Sequence, residues 1–234
     1  NLQFLGVSNV IGVDVRKDRC KETQQKFNID TYQSIDIVPE FLIKKVKAFI
    51  ISVPPDLHSF YITKAVENKT PCFVEASVIF EETKELYSKY KHTDVLIAPS
   101  CTLFFHPAIR RISKIIQAND LGKISNITYH SGQYLPDWHP YESVRDFYVS
   151  NKETGGAREI VPFELTWITM LLGHPIRGTG FYKKTIDIRG AEQIDDTYNI
   201  ILDYKEFMFC LTVDVVSRFP SRRLLINGEK KQLI

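Results

Sequence analysis

A short segment of the chain, QYLPDWHPYESVRDFY, concentrates side chains suited to a polar, ring-shaped molecule: Trp138, His139, Tyr141, Arg145 and Tyr148. Flat aromatic faces cover the C–H patches of a sugar, and the imidazole, hydroxyl and guanidinium groups suit hydroxyls, carboxylates or phosphates. A tightly packed loop with aromatic anchors would have the same composition. Arg158 adds a second guanidinium just after Gly155-Gly156, a pair that permits a turn or a close backbone approach. Glu159 follows at the head of an apolar run, IVPFELTWITMLLG. Burial there would raise its pKa toward neutrality, which suits a base working at pH 7. The competing role is a helix-face glutamate paired with Arg158, Arg145 or Lys152.

Other chemistries find little support. The histidines, His58, His92, His106, His130, His139 and His174, show no metal-ligand spacing, so no metal site is expected. Cys20, Cys72, Cys101 and Cys210 are widely separated and form no CxxC, which fits free thiols in a reducing cytoplasm. A GxSxG elbow and a P-loop are both absent from these residues.

The elements that must position these groups follow from hydrophobic pattern. With 234 residues, 44% of them hydrophobic and 25% charged, the chain can bury one large core or two modest ones. Its first half alternates apolar runs at 9–15, 47–53, 71–75 and 94–98 with helical spacing at 16–27, 55–68 and 80–91. That alternation predicts βαβ units around a parallel sheet. Pro107 then opens another helix, AIRRISKII, where a proline at the first turn loses no hydrogen bond. After Leu121-Gly122 the pattern changes: ISNITYHSG alternates like a half-exposed strand, 155–173 reads as an apolar helix, and 180–189, 197–204, 207–218 and 223–227 have strand composition. A second, mainly antiparallel open sheet is expected there. The net charge of +2 is dispersed, which argues against nucleic acid as a partner, and no apolar run is long enough to cross a bilayer.

Several motifs in order resemble the glucose-fructose oxidoreductase, inositol dehydrogenase and MocA (Gfo/Idh/MocA) family: VIGVDVR, FIISVPPDLHSFYITKAVENKTPCFVE, LFFHPAIRRI with LGKI, and ETGGAREIVPFELTWITMLLGHP. The resemblance implies an α/β chain in which an incomplete Rossmann-type parallel-sheet domain, 1–120, precedes an α+β substrate-binding and oligomerisation domain, 121–234, with an open, mainly antiparallel sheet. By that comparison a further strand and a GxGxxG turn belong before Asn1, so the phosphate-binding loop is expected outside this sequence.

The resemblance also implies a nicotinamide cofactor, NAD more than NADP. Asp14, at the end of a strand, would accept hydrogen bonds from a ribose hydroxyl, or else cap the following helix. Arg16 and Lys17 would tolerate a ribose phosphate. Ser52, Pro54, His58 and Glu75 would border the same cleft, although a lone histidine such as His58 is more often a packing residue. Two family positions depart from the pattern: the lysine after the strand-end glutamate is Ala76 in Glu75-Ala76-Ser77, and the helix histidine falls on Phe163 or, with a slip of one, on Glu164. Glu159 is then the remaining base for removing a proton from a sugar, cyclitol or nucleotide-sugar hydroxyl. The alternative is a degenerate relative that binds a sugar or protein without redox turnover. Pairing into a homo-oligomer is expected through the open sheet, over an apolar face including Ile200, Leu202, Phe207, Phe209 and Leu211.

Overall fold

The structure, a computed structural model, describes residues 2–76 and 78–234. Asn1 and Ser77 lie outside the described residues, and with Ser77 the last position of the Glu75-Ala76-Ser77 stretch.

The parallel part begins with β1 (Ile11–Val13), α1 (Lys17–Phe27), β2 (Asp30–Tyr32) and a one-turn α2 (Glu40–Ile43). It continues through β3 (Phe49–Ile51), α3 (His58–Glu67), β4 (Cys72–Val74), α4 (Phe80–Tyr90) and β5 (Ile97–Pro99). The strands lie in two sheets, β1-β2 and β3-β4-β5, with every pairing parallel. Among the described residues no strand pairing joins these two sheets. Each strand is shorter than its apolar run, because only the residues that meet a neighbour enter the ladder. Ile51, Cys72 and Val74 bury one side of the three-stranded sheet against Ile62 and Ala65 of α3.

Next comes α5 (Pro107–Gln117), capped by His106, whose Nδ1 accepts the Ala108 N–H at 3.2 Å. Ile109, Ile112, Ile115 and Ile116 place one apolar stripe of α5 on the second core. That core is built on a six-stranded sheet and a long helix. The elements are β6 (Ile124–Tyr134), α6 (Ala157–Leu172), β7 (Arg177–Lys183), β8 (Thr197–Asp203), β9 (Met208–Asp214), β10 (Val216–Gly228) and β11 (Gln232–Leu233). Sheet order is β11-β10-β6-β9-β8-β7, and only the central β6–β9 pair is parallel. In β6 the period of two is plain: Ile127, Tyr129 and Ser131 are buried, while Thr128 faces away.

The apolar residues expected to need a partner subunit are covered by the chain itself. Leu202, Phe209 and Leu211 are buried in the core with Trp167 and Ile168 of α6, and Ile200 and Phe207 pack against it. The opposite face of β8 and β9 is more polar, with Thr212 donating to Asn199 across the strands at 2.8 Å.

Candidate functional site

The C-terminal ends of β3, β4 and β5 open into a cleft of about 370 Å³, closed on its far side by α6 and the six-stranded sheet. Open parallel sheets place ligands at this edge, since strands end there and loops carry the chemistry. Val53, Pro55 and His58 line it from the β3–α3 turn, Glu75 and Ala76 from the end of β4, and Ser100 and Thr102 from beyond β5. The other wall is Gln133 of β6, Trp138 and Tyr148 of the aromatic loop, Glu159, Ile160 and Phe163 of α6, and Arg222 of β10.

Glu159 sits in the first turn of α6 because the two preceding glycines let the chain turn tightly into the helix. A Cβ on Gly155 would lie 1.8 Å from the Val149 carbonyl oxygen, and Gly156 has φ of +66°, so side chains are excluded at both. Glu159 Oε1 accepts a hydrogen bond from the Tyr148 hydroxyl at 2.5 Å. Its Oε2 is buried without a hydrogen-bond partner among the described residues. Burial pushes the carboxyl up to about 7; the Tyr148 bond pulls it down, and the charge of Glu75 pushes it further up. The Tyr148 hydroxyl is in turn raised well above its ordinary value, first by burial and then by the Glu159 charge.

His58 is buried, and its Nε2 stands 2.9 Å from the Val53 carbonyl oxygen. Burial lowers its pKa, with the Val53 bond opposing, so the ring is neutral near pH 7. Only the Nε2–H tautomer can donate to that carbonyl, which makes Nδ1 an acceptor. Nδ1 is buried without a partner, as is the Trp138 indole N–H. Three cleft residues thus carry an unpartnered buried polar atom: an acceptor on His58, a donor on Trp138 and a carboxyl oxygen on Glu159. Buried polar groups are nearly always paired, so a polar ligand is the expected partner.

Of the residues singled out from the sequence, Glu159, Trp138, Tyr148, His58 and Glu75 share this cleft. Ser52 and Pro54 flank the lining residue Val53 without lining the cleft themselves. Asp14 lies beyond the end of β1 and accepts the Arg16 backbone N–H at 2.8 Å, a local turn bond; it does not cap α1, whose N-cap is Arg16 and receives no side-chain cap bond. Arg16 is held by Asp18 at 2.7 Å and by Glu142 at 3.0 Å. Tyr141 is exposed and bonds to His139, whose ring packs on Phe147; Arg145 lies 3.5 Å from Glu192 and Arg158 lies 3.9 Å from Glu153. These four, His139, Tyr141, Arg145 and Arg158, do not line the cleft.

Sequence reasoning passed over Arg222, Glu142 and the role of Glu164. Phe163 lines the cleft, whereas Glu164 turns into the core, so the helix position facing the cleft is the phenylalanine. Glu142 receives Arg16 and Arg19 together and ties the aromatic loop to α1. The aromatic composition around it, Trp138, His139, Tyr141 and Tyr148, marks the loop in the sequence but not this carboxylate.

A family model described as the GFO/IDH/MocA C-terminal domain matches residues 109–234. No match is found among curated proteins. Solved structures share the fold at low identity. A myo-inositol 2-dehydrogenase from Lactobacillus plantarum superposes with a TM-score of 0.79 and 15% identity, over 96% of this chain and 67% of its own. The WlbA dehydrogenase from Bordetella pertussis, in complex with NADH and UDP-GlcNAcA, has a TM-score of 0.79 and 15% identity, over 94% of this chain and 63% of its own. An oxidoreductase from Agrobacterium radiobacter, in complex with NAD+, L-tartaric acid and magnesium, has a TM-score of 0.79 and 14% identity, over 94% of this chain and 64% of its own. The chain therefore spans about two thirds of the length of these structures, or slightly less.

Proposed function

Because the chain belongs to the GFO/IDH/MocA family, we propose that it works as a nicotinamide-dependent oxidoreductase on a hydroxyl of a sugar, cyclitol or nucleotide-sugar, with Glu159 as the base. The observation that carries this is the state of Glu159: a desolvated carboxyl with a pKa of about 7 and one oxygen unpartnered in the cleft. Such a group is half ionised near neutrality and can both take and return a proton.

The residues present fit a dinucleotide: beyond β1 Asp14 would offer a carboxylate to a ribose hydroxyl, and in the cleft the unpartnered atoms of His58 and Trp138 offer an acceptor and a donor. A nicotinamide, when bound, supplies the hydride acceptor. Glu159 Oε2 takes the hydroxyl proton, while Tyr148 fixes Oε1 and so the direction of the carboxyl plane. Trp138 lays its ring along the substrate, and Ile160 and Phe163 keep that wall apolar. NAD is favoured over NADP because Arg16 and Arg19, at the head of the helix that follows Asp14, are already engaged by Asp18, Glu22 and Glu142. The nicotinamide cofactors bound in the Bordetella and Agrobacterium structures support the cofactor class. Four free cysteines fit a reducing cytoplasm, and pairing of two copies through the six-stranded sheet belongs to the same proposal.

A second reading, a sugar-binding protein without redox turnover, is favoured by Ala76 and Phe163, which line the cleft where the family pattern has lysine and histidine. The two separate in one experiment. NADH fluorescence is titrated with protein, and NAD+ reduction is then followed over a panel of sugars, cyclitols and nucleotide-sugars. Turnover that Glu159→Gln abolishes while NADH affinity persists supports the dehydrogenase. Sugar binding with no turnover anywhere in the panel supports the binding protein.

A further inference from the structure

Glu164 is fully buried, yet it is surrounded by donors: Tyr129 and Trp167 donate to Oε2 at 2.9 and 2.7 Å, and Ser131 and Arg222 donate to Oε1 at 2.8 and 3.1 Å. Four donors around one carboxylate, from α6, β6 and β10, fix it rigidly. The consequence reaches the cleft through Arg222. Its Nε is held by Glu164, so the plane of the guanidinium is set from below, and the side chain is 41% exposed at the cleft wall although its partner carboxylate is at 0%. Here the pair shows only its positive end to the cleft. Among the described lining residues Arg222 alone carries a permanent positive charge; the other charged groups are the acids Glu75 and Glu159, and His58 is neutral.

We propose that Arg222, positioned by Glu164, is an anion-recognition residue of the cleft, and that the substrate carries a carboxylate or phosphate beside the hydroxyl that reacts. This rests on the cleft assigned above but not on redox turnover. A planar guanidinium donates two parallel hydrogen bonds to either anion, which a lysine at the same position would not do. A neutral sugar would leave those donors to water.

The test is calorimetric titration of the protein with three probes: D-glucuronate, D-glucose 6-phosphate and D-glucose. At least one anionic sugar should bind about 10- to 100-fold tighter than glucose, as expected for charge-assisted hydrogen bonds. The anion that shows the preference identifies which of the two the site takes. Arg222→Met should abolish the preference, so that within that variant neither anionic sugar binds tighter than glucose. Because that change leaves a buried carboxylate unpaired, the double variant R222M/E164Q provides a folded control that must show the same loss. Glu164→Gln, which keeps the guanidinium but loosens its hold, should narrow the preference, and Arg222→Lys should restore part of it. Equal affinity for anionic and neutral sugars, no measurable binding of either anion, or a preference that survives in R222M/E164Q would overturn the proposal. Failure of turnover with this preference intact would count against the dehydrogenase reading and leave the anion site standing.

Discussion

The two oxygens of Glu159 live in different surroundings, one bonded to Tyr148 and one buried without a partner, and this asymmetry makes its protonation state consequential. Folding raises the carboxyl from its ordinary 4.5 to about 7, so the folded state binds the proton more tightly than the unfolded chain. Stability from this group is therefore complete below about 4.5 and is lost as the pH rises through about 7, at a cost of about 3 kcal/mol. Glu159→Gln should leave stability near pH 4.5 almost unchanged and raise it by a few kcal/mol at pH 8, read from paired urea melts. A gain that does not grow with pH would show the carboxyl to be ordinary. Tyr148→Phe removes the bond that lowers Glu159, so the midpoint of its titration should move above about 7, visible in the carboxyl region of difference infrared spectra. Glu159, Trp138 and Tyr148 were legible in the sequence because their chemistry is written in their type. Arg222 was not: it stands in an RR pair on a strand, and only the alternation of β10 decides which arginine faces α6.

The turn into α6 depends on backbone clearance. Gly155→Ala would force Cβ against the Val149 carbonyl, and the resulting shift should lower stability by more than about 1 kcal/mol and weaken sugar binding together, since Tyr148 and Glu159 lie on either side of that contact. Thermal melts and calorimetry on the same variant check both. Where apolar periodicity is strong the elements were readable: α1, α3, α4, α5 and α6 all stand close to their expected ranges. The misses have local causes. β2, Asp30–Tyr32, is too short and polar to signal itself. The strand expected at 180–189 is β7, Arg177–Lys183, because buried Asp196 collects the N–H groups of Thr185 and Ile186 at 2.8 and 2.9 Å and turns that apolar stretch into a loop. The break expected after Arg218 falls instead at Asp214, whose side chain accepts the N–H groups of Val216 and Ser217 at 3.1 and 2.8 Å. β10 then runs from Val216 to Gly228 through an irregular register between Val216 and Ser221 that accommodates Pro220.

Across the molecule, the aromatic loop joins the parallel part to the six-stranded sheet. Its core-side anchors, Trp138 and Tyr148, face the cleft, while Glu142 grips Arg16 and Arg19 at the head of α1, beside Asp14. Asp14 itself does not line the cleft, and its link to the aromatic loop runs through Arg16 and Glu142. With a ribose at Asp14 as proposed, Glu142→Gln removes one carboxylate partner from Arg16 and Arg19, which keep Asp18 and Glu22, and so makes that end of α1 more positive. Global stability should change by no more than about 1 kcal/mol, since the arginines are partly exposed, while the NADH to NADPH affinity ratio should fall by about tenfold. An unchanged ratio in paired fluorescence titrations would remove Glu142 from cofactor selection. The order of the elements was readable from alternation alone; this clasp was not, because it depends on three-dimensional proximity between residues far apart in sequence. The most direct measurement is the pH dependence of NAD+ reduction by the protein with its best substrate from the panel, in wild type and Glu159→Gln. The rate should rise with pH through about 7 in the wild type and fall by about 100- to 10,000-fold in the variant, with NADH affinity retained. A variant as fast as wild type, or a wild-type midpoint near an ordinary glutamate, would contradict Glu159 as the base.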